Sequence, residues 1–376
     1  MKIAIISPLI IGIGQTPATY SSQEINLAKC WADQGHDVDV ITSYFDGIYE
    51  ALRHKRIRVK IRPLVWLGGK KGLPLLLGGA GVLLKKHYDF VLSGEHYYPN
   101  TALSCLLTTK VVIYQGQNSP GSTWWKKLGL YLLDGLFLPL TKRRCLKVIA
   151  KTGQAEEFIR RKGFHRVVTI PVGYDSTRFR KPTAAERASC RELLELSDDC
   201  GVLVYAGNLL PRRDVGTAIR ALAQLRQLGE NAVLLIVGEG QEKGALKTVA
   251  ETESLQNYVR FLGLLPWENL RQVYWAGDVF VFPSLYEIFG MVQIEALASG
   301  LNLVSTSCPA IVDLVPEGSE LVKIVPPSDV RAFAEACGAL LARRRSGQVA
   351  SDAASQILAK MDWPSISHRI IEAVVE

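Results

Sequence analysis

The chain has 376 residues, of which 48% are hydrophobic and 21% are charged, and its formal net charge at pH 7 is +8. This composition excludes a disordered chain, and the length favours two domains over a single hydrophobic core. The positive charge is typical of proteins with acidic partners, such as nucleotide phosphates, nucleic acid or an anionic membrane, but it does not distinguish among them.

The cysteines and the apolar runs give a further set of expectations. The seven cysteines are scattered without a Cys-x-x-Cys pair, so we expect reduced thiols, no metal site and a cytoplasmic location. The opening run MKIAIISPLIIGIG is followed by no small-residue cleavage site, so it fits a first strand better than a secretory signal. No segment reaches the ~20 apolar residues that span a bilayer.

Strand-like and helix-like segments alternate along the first half. KIAIISPL is an apolar, β-branched run typical of a buried strand, and SQEINLAKCWADQG follows as a helix that Ser22 can cap and Gly35 can end. Further strands are predicted at HDVDVITS, DFVLSG, KVVIYQG and LKVIAKT. This alternation predicts a parallel sheet with helices on both faces.

The same pattern restarts after the polar stretch 170–187, which has the composition of a linker. Strands are predicted at GVLVYAG, AVLLIVGEG, VRFLGLL, DVFVFPS and LNLVSTS. We therefore expect an α/β protein with two Rossmann-like domains, 1–172 and 173–360. The tail 361–376 has Trp, Ile and Val at helical spacing, and we expect this helix to pack back on the first domain.

Two segments of the first half carry candidate ligand residues. The loop IIGIGQTP contains Gly12 and Gly14, but Pro17 stands where a dinucleotide fingerprint has its third glycine. Its amides either face a phosphate or a sugar, or they form a turn between strand and helix. Glu95 and His96 follow a predicted strand and can bind a substrate there, and His96 is a candidate catalytic residue, although a lone histidine is more often structural.

Two segments of the second half also follow predicted strands, where open α/β sheets bind ligands. Arg212 and Arg213 in AGNLLPRRD suit a diphosphate, because guanidinium groups make forked charge-assisted bonds; the alternative is a solvated charge pair. Gly238 in VGEGQEK lies in another glycine loop, whose signal is weak by itself.

Two further patterns have competing interpretations. Asp37 and Asp39 imitate an Asp-x-Asp metal motif, but their position at the start of a run HDVDVITS predicts a strand. The apolar stretch between WWKKLG and TKRRC is bracketed by basic residues, which is typical of a helix at an anionic membrane surface or of a partly buried helix with solvated ends. The dispersed lysines and arginines form no nucleic-acid motif, so we expect no nucleic-acid partner.

The segment 259–306 resembles the signature region of the family 4 retaining glycosyltransferases. That signature is Glu, seven residues and Glu, with Phe-Gly inside and Glu-Ala-Leu/Met-Ala-x-Gly after it. The residues that fit are Glu287, Phe289, Gly290, Glu295, Ala296, Ala298 and Gly300. Weaker similarity extends to LAKCWADQGHDVDVIT, IPVGYDSTRF, VYAGNLLPRRD, LLIVGEGQ and DWPSISHRI. The resemblance implies the GT-B fold, in which two Rossmann-like domains face each other across a cleft and a final helix returns to the first domain.

The resemblance also implies roles for these residues. Glu287 would hold the hydroxyls of the donor sugar, and Glu295 would accept hydrogen bonds from the ribose. The amides of Phe289, Gly290 and Met291 would open a helix whose N-terminal end favours the diphosphate. Donor contacts from the Gly12–Gly14 loop and the Gly238 loop belong to the same expectation.

The chain departs from the family pattern at several positions. Asn208 stands where the family usually has arginine, and Arg213 stands where it has lysine. Val172 replaces a usual asparagine. Gln115 and Gln117 occupy the stretch in which a first-domain histidine is often found. We therefore expect phosphate binding to depend on Arg213 with Arg212.

The sequence predicts a glycosyltransferase that moves a sugar from a nucleoside diphosphate sugar to an acceptor hydroxyl with retention, without a metal ion or cofactor. The donor would bind the second domain and the acceptor the first. A GT-B-fold nucleotide-sugar epimerase and a non-catalytic sugar-nucleotide binder are the alternatives. UDP and GDP donors both stay open, and a peripheral contact with an anionic membrane is expected if the acceptor is lipid-linked.

Overall fold

A computed structural model describes residues 1–8, 22–44, 47–67, 73–116, 124–287, 289–315, 319–345 and 358–376. The chain forms two compact units. The first unit comprises Met1–Gly173 and Trp363–Glu376, and the second unit comprises Tyr174–Asp362.

The first unit is built on a seven-stranded parallel sheet with the order β3-β2-β1-β6-β7-β8-β9. Its strands are β1 Lys2–Ser7, β2 Asp37–Thr42, β3 Ile57–Ile61, β6 Phe90–Ser93, β7 Val111–Gln115, β8 Cys145–Ala150 and β9 Val167–Thr169. An antiparallel pair, β4 Leu64–Leu67 and β5 Leu73–Leu76, lies outside this sheet. The helices are α1 Gln23–Asp33, α2 Ile48–Ala51, α3 Pro99–Leu107, α4 Trp124–Arg144, α5 Gly153–Arg161 and α13 Trp363–Val375, with a 3-10 helix at Ala80–Leu84.

The C-terminal helix α13 packs on α1 of the first unit. The indole Nε1 of Trp31 donates to the carbonyl of Ser367 at 3.0 Å, and Gln34 donates to the Ser367 hydroxyl at 2.8 Å. Gly173 lies against Trp363 so closely that a Cβ atom would be 2.7 Å from the indole ring. The apolar residues that recur at helical spacing in this tail therefore cover a face of the first unit, as predicted from the sequence.

The second unit is built on a six-stranded parallel sheet with the order β12-β11-β10-β13-β14-β15. Its strands are β10 Gly201–Ala206, β11 Ala232–Val237, β12 Val259–Gly263, β13 Val279–Phe282, β14 Asn302–Ser305 and β15 Val322–Ile324. The helices are α6 Ala184–Leu193, α7 Val215–Gln227, α8 Lys243–Thr252, α9 Trp267–Ala276, α10 Met291–Ala298, α11 Pro309–Leu314 and α12 Val330–Arg345, with a 3-10 helix at Pro211–Arg213.

Each sheet reverses its strand order at one place, and this reversal positions the candidate sites. In the first unit, the strands after β1 are added on one side of it, and the strands from β6 onward are added on the other side. In the second unit, the same change of side occurs between β10 and β13. In open α/β sheets, ligands bind in the crevice outside the carboxyl ends of the strands at such a switch point. The prediction of two Rossmann-like α/β domains is confirmed by these two sheets.

Candidate functional site

The loops that follow β10 and β13 lie side by side at the switch point of the second unit. The amide of Leu285 donates to the carbonyl of Arg212 at 2.9 Å, and the Ser284 hydroxyl donates to the same carbonyl at 3.2 Å. The guanidinium of Arg212 in turn donates to the carbonyl of Tyr286 at 3.0 Å. These bonds fix the two predicted arginines beside the first glutamate of the signature.

Arg213 and Glu287 form an ion pair in which each side chain is only 14% exposed. Arg212 lies further out, with its Nη1 3.8 Å from Glu287 Oε2 and its side chain 44% exposed. The guanidinium of Arg213 also lies 5.3 Å from the centre of the Phe282 ring. Its Nε is buried and has no hydrogen-bond partner within the described parts of the chain. A partly desolvated guanidinium with donor capacity left is suited to an oxyanion.

Helix α10 begins directly after this pair. Its N-cap residue Gly290 has a left-handed backbone with φ +70°, and a Cβ atom there would be 2.4 Å from Gln293 Nε2. Only glycine fits this turn without displacing a neighbour. Phe289 is buried, and its carbonyl accepts a hydrogen bond from the Cys308 thiol at 3.3 Å. The amides of Phe289 to Met291 therefore stand at a helix N-terminus, where backbone dipoles favour negative charge.

Glu295 lies one turn further along α10 and is 3% exposed. Burial, together with the nearby charge of Glu295, raises the pKa of Tyr274 well above its ordinary value. The structure thus places this carboxylate inside the second unit. Its assignment to the ribose of a donor stays a prediction.

The predicted residues Asn208 and Gly238 lie in the loops after β10 and β11. The Tyr205 hydroxyl donates to the carbonyl of Asn208 at 3.1 Å. Gly238 has φ +138°, and a Cβ atom on it would be 1.9 Å from the carbonyl oxygen of Gly207. Close packing of the two loops therefore explains the glycine at position 238 without a contact to a ligand.

His96 lies in the first unit and is 1% exposed. Its Nδ1 is 3.0 Å from Gln115 Oε1, and its Nε2 is 3.0 Å from Asp134 Oδ1. Lys162 pairs with the other oxygen of Asp134. Burial acts to raise the pKa of Asp134, but hydrogen bonds from His96 and Lys162 outweigh it, so the pKa lies below its ordinary value. Both ring nitrogens thus have partners within the first unit, as the structural alternative expects, and a catalytic role for His96 stays a prediction.

Gly12, Gly14 and Gln117 lie outside the described residues. Gln115, a departure from the family pattern, is fully buried as the partner of His96. Among the residues that the structure describes, no group of three or more His, Cys, Asp or Glu side chains could hold a metal ion. In the same residues, no helix is long and apolar enough to cross a membrane.

The structure also shows a polar pocket in the first unit that the sequence did not predict as a whole. It lies at the β1–β6 switch point, and its polar lining comprises Ser7, Glu24, Ser93, Glu95, Tyr98, Tyr114 and Lys151. Glu95 was singled out from the sequence, whereas Lys151 and Tyr114 were not. The sequence does contain one signal for this pocket, which is that polar residues end or follow the predicted strands whose carboxyl ends line it.

Two domain families match the chain. Residues 25–178 match Glycosyltransferase Family 4, and residues 200–343 match Glycosyl transferases group 1. These matches bear out the resemblance of the Glu-x7-Glu segment, and the chain belongs to the family 4, group 1 glycosyltransferases.

Curated relatives match part of the chain. A D-inositol 3-phosphate glycosyltransferase of Nocardia farcinica is 33% identical over 48% of this chain and 40% of its own length. A GDP-mannose-dependent monoacylated alpha-(1-6)-phosphatidylinositol monomannoside mannosyltransferase of Corynebacterium glutamicum is 31% identical over 41% of this chain and 44% of its own length. The alignments thus span less than half the length of these two relatives.

The whole fold is similar to that of Anabaena HepE, solved in complex with UDP. The two chains superpose with a TM-score of 0.80 at 19% sequence identity, and 100% of each chain is covered. At this identity the likeness shows the fold, which is GT-B as predicted.

Proposed function

We propose that this protein is a retaining glycosyltransferase that moves a sugar from a nucleoside diphosphate sugar to an acceptor hydroxyl, without a metal ion or a cofactor. The observation that carries the proposal is the Arg213–Glu287 pair at the switch point of the second unit. It brings a cation suited to a diphosphate next to a carboxylate suited to sugar hydroxyls, at the start of helix α10. The family membership supports the same reaction.

The donor and the protein would exchange charged partners at this pair. The diphosphate would take the guanidinium of Arg213, with Arg212 and the N-terminal amides of α10 adding positive potential. Glu287, released from Arg213, would accept hydrogen bonds from the hydroxyls of the sugar. Glu295 would hold the ribose. The charge that develops on the leaving diphosphate would be met by these fixed donors.

We propose retention of configuration from the family signature. No dedicated enzymatic nucleophile is apparent in the sequence around the two glutamates, so the residues themselves do not indicate the stereochemistry. Two donor bases are supported by the comparisons. HepE was solved in complex with UDP, and the relative from Corynebacterium is named GDP-mannose-dependent. We propose UDP or GDP sugars as donors.

Thermal unfolding in the presence of nucleotides tests donor binding. A ligand that binds only the folded state stabilises it by about 2.7 kcal/mol at a hundredfold excess over Kd. We expect UDP or GDP to raise the unfolding temperature, and the matching monophosphate to raise it less because Arg213 then has fewer phosphate oxygens to bind. No rise with either diphosphate would contradict the assignment of the second unit.

The surface of helix α4 supports a peripheral contact with an anionic membrane as a second part of the proposal. Leu128, Tyr131, Leu132 and Leu136 follow helical spacing, and their exposed fractions are 45%, 69%, 69% and 68%. The last turn of the same helix carries exposed Lys142, Arg143 and Arg144. Each basic residue near an anionic surface contributes about 1 kcal/mol, while apolar side chains enter the headgroup layer. The side chains of 124–127 lie outside the described residues.

The acceptor would then be lipid-linked and would meet the first unit at the membrane surface. The relative from Corynebacterium is named for a phosphatidylinositol substrate, which supports this class of acceptor. The helix is also partly buried, since Leu138 and Leu140 pack against the core of the first unit and Thr141 is fully buried. The exposed leucines lie on the remaining face, and this face is the one that we propose for the membrane contact.

A further inference from the structure

The pocket of the first unit has the position and the chemistry of a ligand site. It has a volume of about 120 Å³ and lies outside the carboxyl ends of β1 and β6. The ends of β7 and β8 contribute Tyr114 and Lys151, and the first turn of α1 contributes Glu24. All of these elements belong to the first unit.

The charges in the pocket are unbalanced toward the negative. Among the described residues that line the pocket, Glu24 and Glu95 are the carboxylates and Lys151 is the cation, and its Nζ lies 4.1 Å from the centre of the Tyr114 ring. Burial lowers the pKa of Lys151, and the charges of Glu95 and Glu24 act in the opposite direction. From the described lining, an anionic ligand would therefore meet two carboxylates and one ammonium group at short range, which is unfavourable.

Glu24 has hydrogen-bond capacity left for a ligand. The hydroxyls of Ser7 and Ser22 donate to its two oxygens at 3.4 and 3.5 Å, which are long contacts for O–H···O bonds. Each carboxylate oxygen accepts two hydrogen bonds. Glu24 stands in the first turn of α1, where the backbone dipoles are favourable for a negative charge.

Tyr114 provides the second and independent indication of a ligand. It is 3% exposed and lines the pocket, and its hydroxyl has no hydrogen-bond partner within the described parts of the chain. A buried hydroxyl without a partner costs roughly 1–3 kcal/mol. A hydroxyl group of a bound ligand would satisfy it.

We propose that this pocket binds the hydroxyl groups of a neutral sugar or polyol, as the recognition site for the acceptor of the proposed transfer reaction. Glu24 and Glu95 would accept hydrogen bonds from the ligand, Lys151 and Tyr114 would donate them, and Tyr98 would offer an aromatic face. The inference rests on the proposed function for its use as an acceptor site. This specificity would distinguish the chain from the relative named a D-inositol 3-phosphate glycosyltransferase. The two carboxylates disfavour a phosphate group on the part of the ligand ring that enters the pocket.

Saturation-transfer NMR on the full chain tests the proposal with two matched pairs of probes. The neutral probes are myo-inositol and methyl α-D-glucopyranoside, and their charged counterparts are inositol 1-phosphate and glucose 6-phosphate. We expect at least one neutral probe to receive saturation and its phosphorylated counterpart to receive much less. Glu24→Gln and Tyr114→Phe should each weaken binding roughly tenfold, as loss of a hydrogen bond to a charged or buried group does.

Asp33→Asn is the matched control, since Asp33 lies at the other end of α1 with its side chain 71% exposed. This variant should bind the neutral probe as the wild type does. The proposal would be overturned if neither neutral probe bound, or if the phosphorylated probes bound more tightly than the neutral ones. It would also be overturned if Glu24→Gln and Tyr114→Phe bound the neutral probe as tightly as the wild type does.

Nucleotide-induced stabilisation, measured on the same variants, separates this inference from the proposed function. Glu24→Gln and Tyr114→Phe should keep the stabilisation by UDP or GDP, because the proposed nucleotide site lies on the second unit. If no nucleotide stabilises the wild type while the neutral probe still binds, the proposed function fails and the polyol site stands. If nucleotides bind and neutral probes do not, the polyol site fails alone.

Discussion

Arg213 and Glu287, 74 positions apart in the sequence, form an ion pair at the carboxyl edge of the second sheet. The pair exists because β10 and β13 are neighbours, so the loops that follow them meet at the switch point. Each partner neutralises the charge of the other, and under the proposed function a nucleoside diphosphate sugar would replace both halves of this contact at once. The pair would then link donor binding to the release of the carboxylate that we assign to the sugar.

Replacing Glu287 by alanine should reduce turnover much more than nucleotide affinity. Its proposed partners are sugar hydroxyls, and hydrogen bonds to a charged group contribute roughly 1.5–3 kcal/mol each. If these bonds strengthen in the transition state, the loss appears in kcat, by about 10- to 100-fold. Steady-state kinetics with the donor identified by thermal shift measures the effect.

The control for Glu287→Ala is nucleotide binding by the same variant. Affinity for UDP or GDP should be retained or increased, because Arg213 no longer has a competing carboxylate. Wild-type turnover in a folded Glu287→Ala variant would show that the donor sugar is placed wrongly.

Replacing Arg213 by alanine should weaken binding of a nucleoside diphosphate more than binding of the nucleoside. The guanidinium is the buried cation of the site, and loss of charge-assisted bonds to a diphosphate costs roughly 1.5–3 kcal/mol. Calorimetric titration with the nucleoside and its diphosphate measures the difference. Arg331→Ala, at a surface pair whose arginine is 83% exposed, is the control and should bind both ligands normally. An equal loss for nucleoside and diphosphate would argue against phosphate binding by Arg213.

Asp39 should be a major contributor to the stability of the first unit, whereas Asp37 in the same strand should not. The Asp39 carboxylate is 1% exposed and is bound by Arg58 at 2.8 Å, Lys60 at 2.6 Å and Lys86 at 3.1 Å. We expect Asp39→Asn to cost about 3 kcal/mol, the lower end for buried ion pairs, because two of its partners are half-exposed. Asp37→Asn, at a more exposed pair, should cost about 0–1 kcal/mol.

The pH dependence of this difference follows from the pKa of Asp39. Burial alone would raise it, but hydrogen bonds from the basic partners and from Tyr88 lower it well below the ordinary value. The folded-state pKa is thus depressed, so the stabilisation is present above the unfolded pKa of about 3.9 and is lost as pH falls toward the folded one. Urea unfolding of wild type and Asp39→Asn should show a constant difference from pH 8 to about pH 5. A difference that disappears above pH 5 would contradict this account.

Removing the exposed leucines of α4 should abolish binding to anionic vesicles. We expect the wild type to sediment with phosphatidylserine-containing liposomes at low salt, and a Leu132→Ser, Leu136→Ser double variant to stay largely in the supernatant. Leu228→Ser, at a leucine of the second unit that is 78% exposed, is the control. A wild-type protein that does not sediment would favour an acceptor that is not lipid-linked.

The sequence predicts the central strands well because their apolar runs are continuous. β10, β11, β13 and β14 are buried on both faces, so each appears in the sequence as a run without charges. β3 is not predicted from the sequence, because its segment IRVKI alternates apolar and basic residues. Its basic residues, Arg58 and Lys60, bind Asp39. β9 and β15 have three residues each, too few for a period to show.

The sites were predicted to the extent that their residues are close in sequence. Glu287 to Glu295 are contiguous and carry a family signature, whereas the bonds of His96 to Gln115 and Asp134 depend on the packing of β7 and α4. The polar pocket brings together residues from Ser7 to Lys151. Its assembly requires the strand order, which local sequence patterns do not contain.

NMR of the reaction products tests the central claim most directly. The chain is incubated with UDP and GDP sugars, alone and with the neutral acceptor probes, and the anomeric protons are followed. The account predicts release of the free nucleoside diphosphate together with a new glycoside that keeps the anomeric configuration of the donor, and an appearance of both signals that is about 10- to 100-fold slower in Glu287→Ala. An inverted glycoside would contradict retention, and a changed sugar still attached to its nucleotide would identify an epimerase instead.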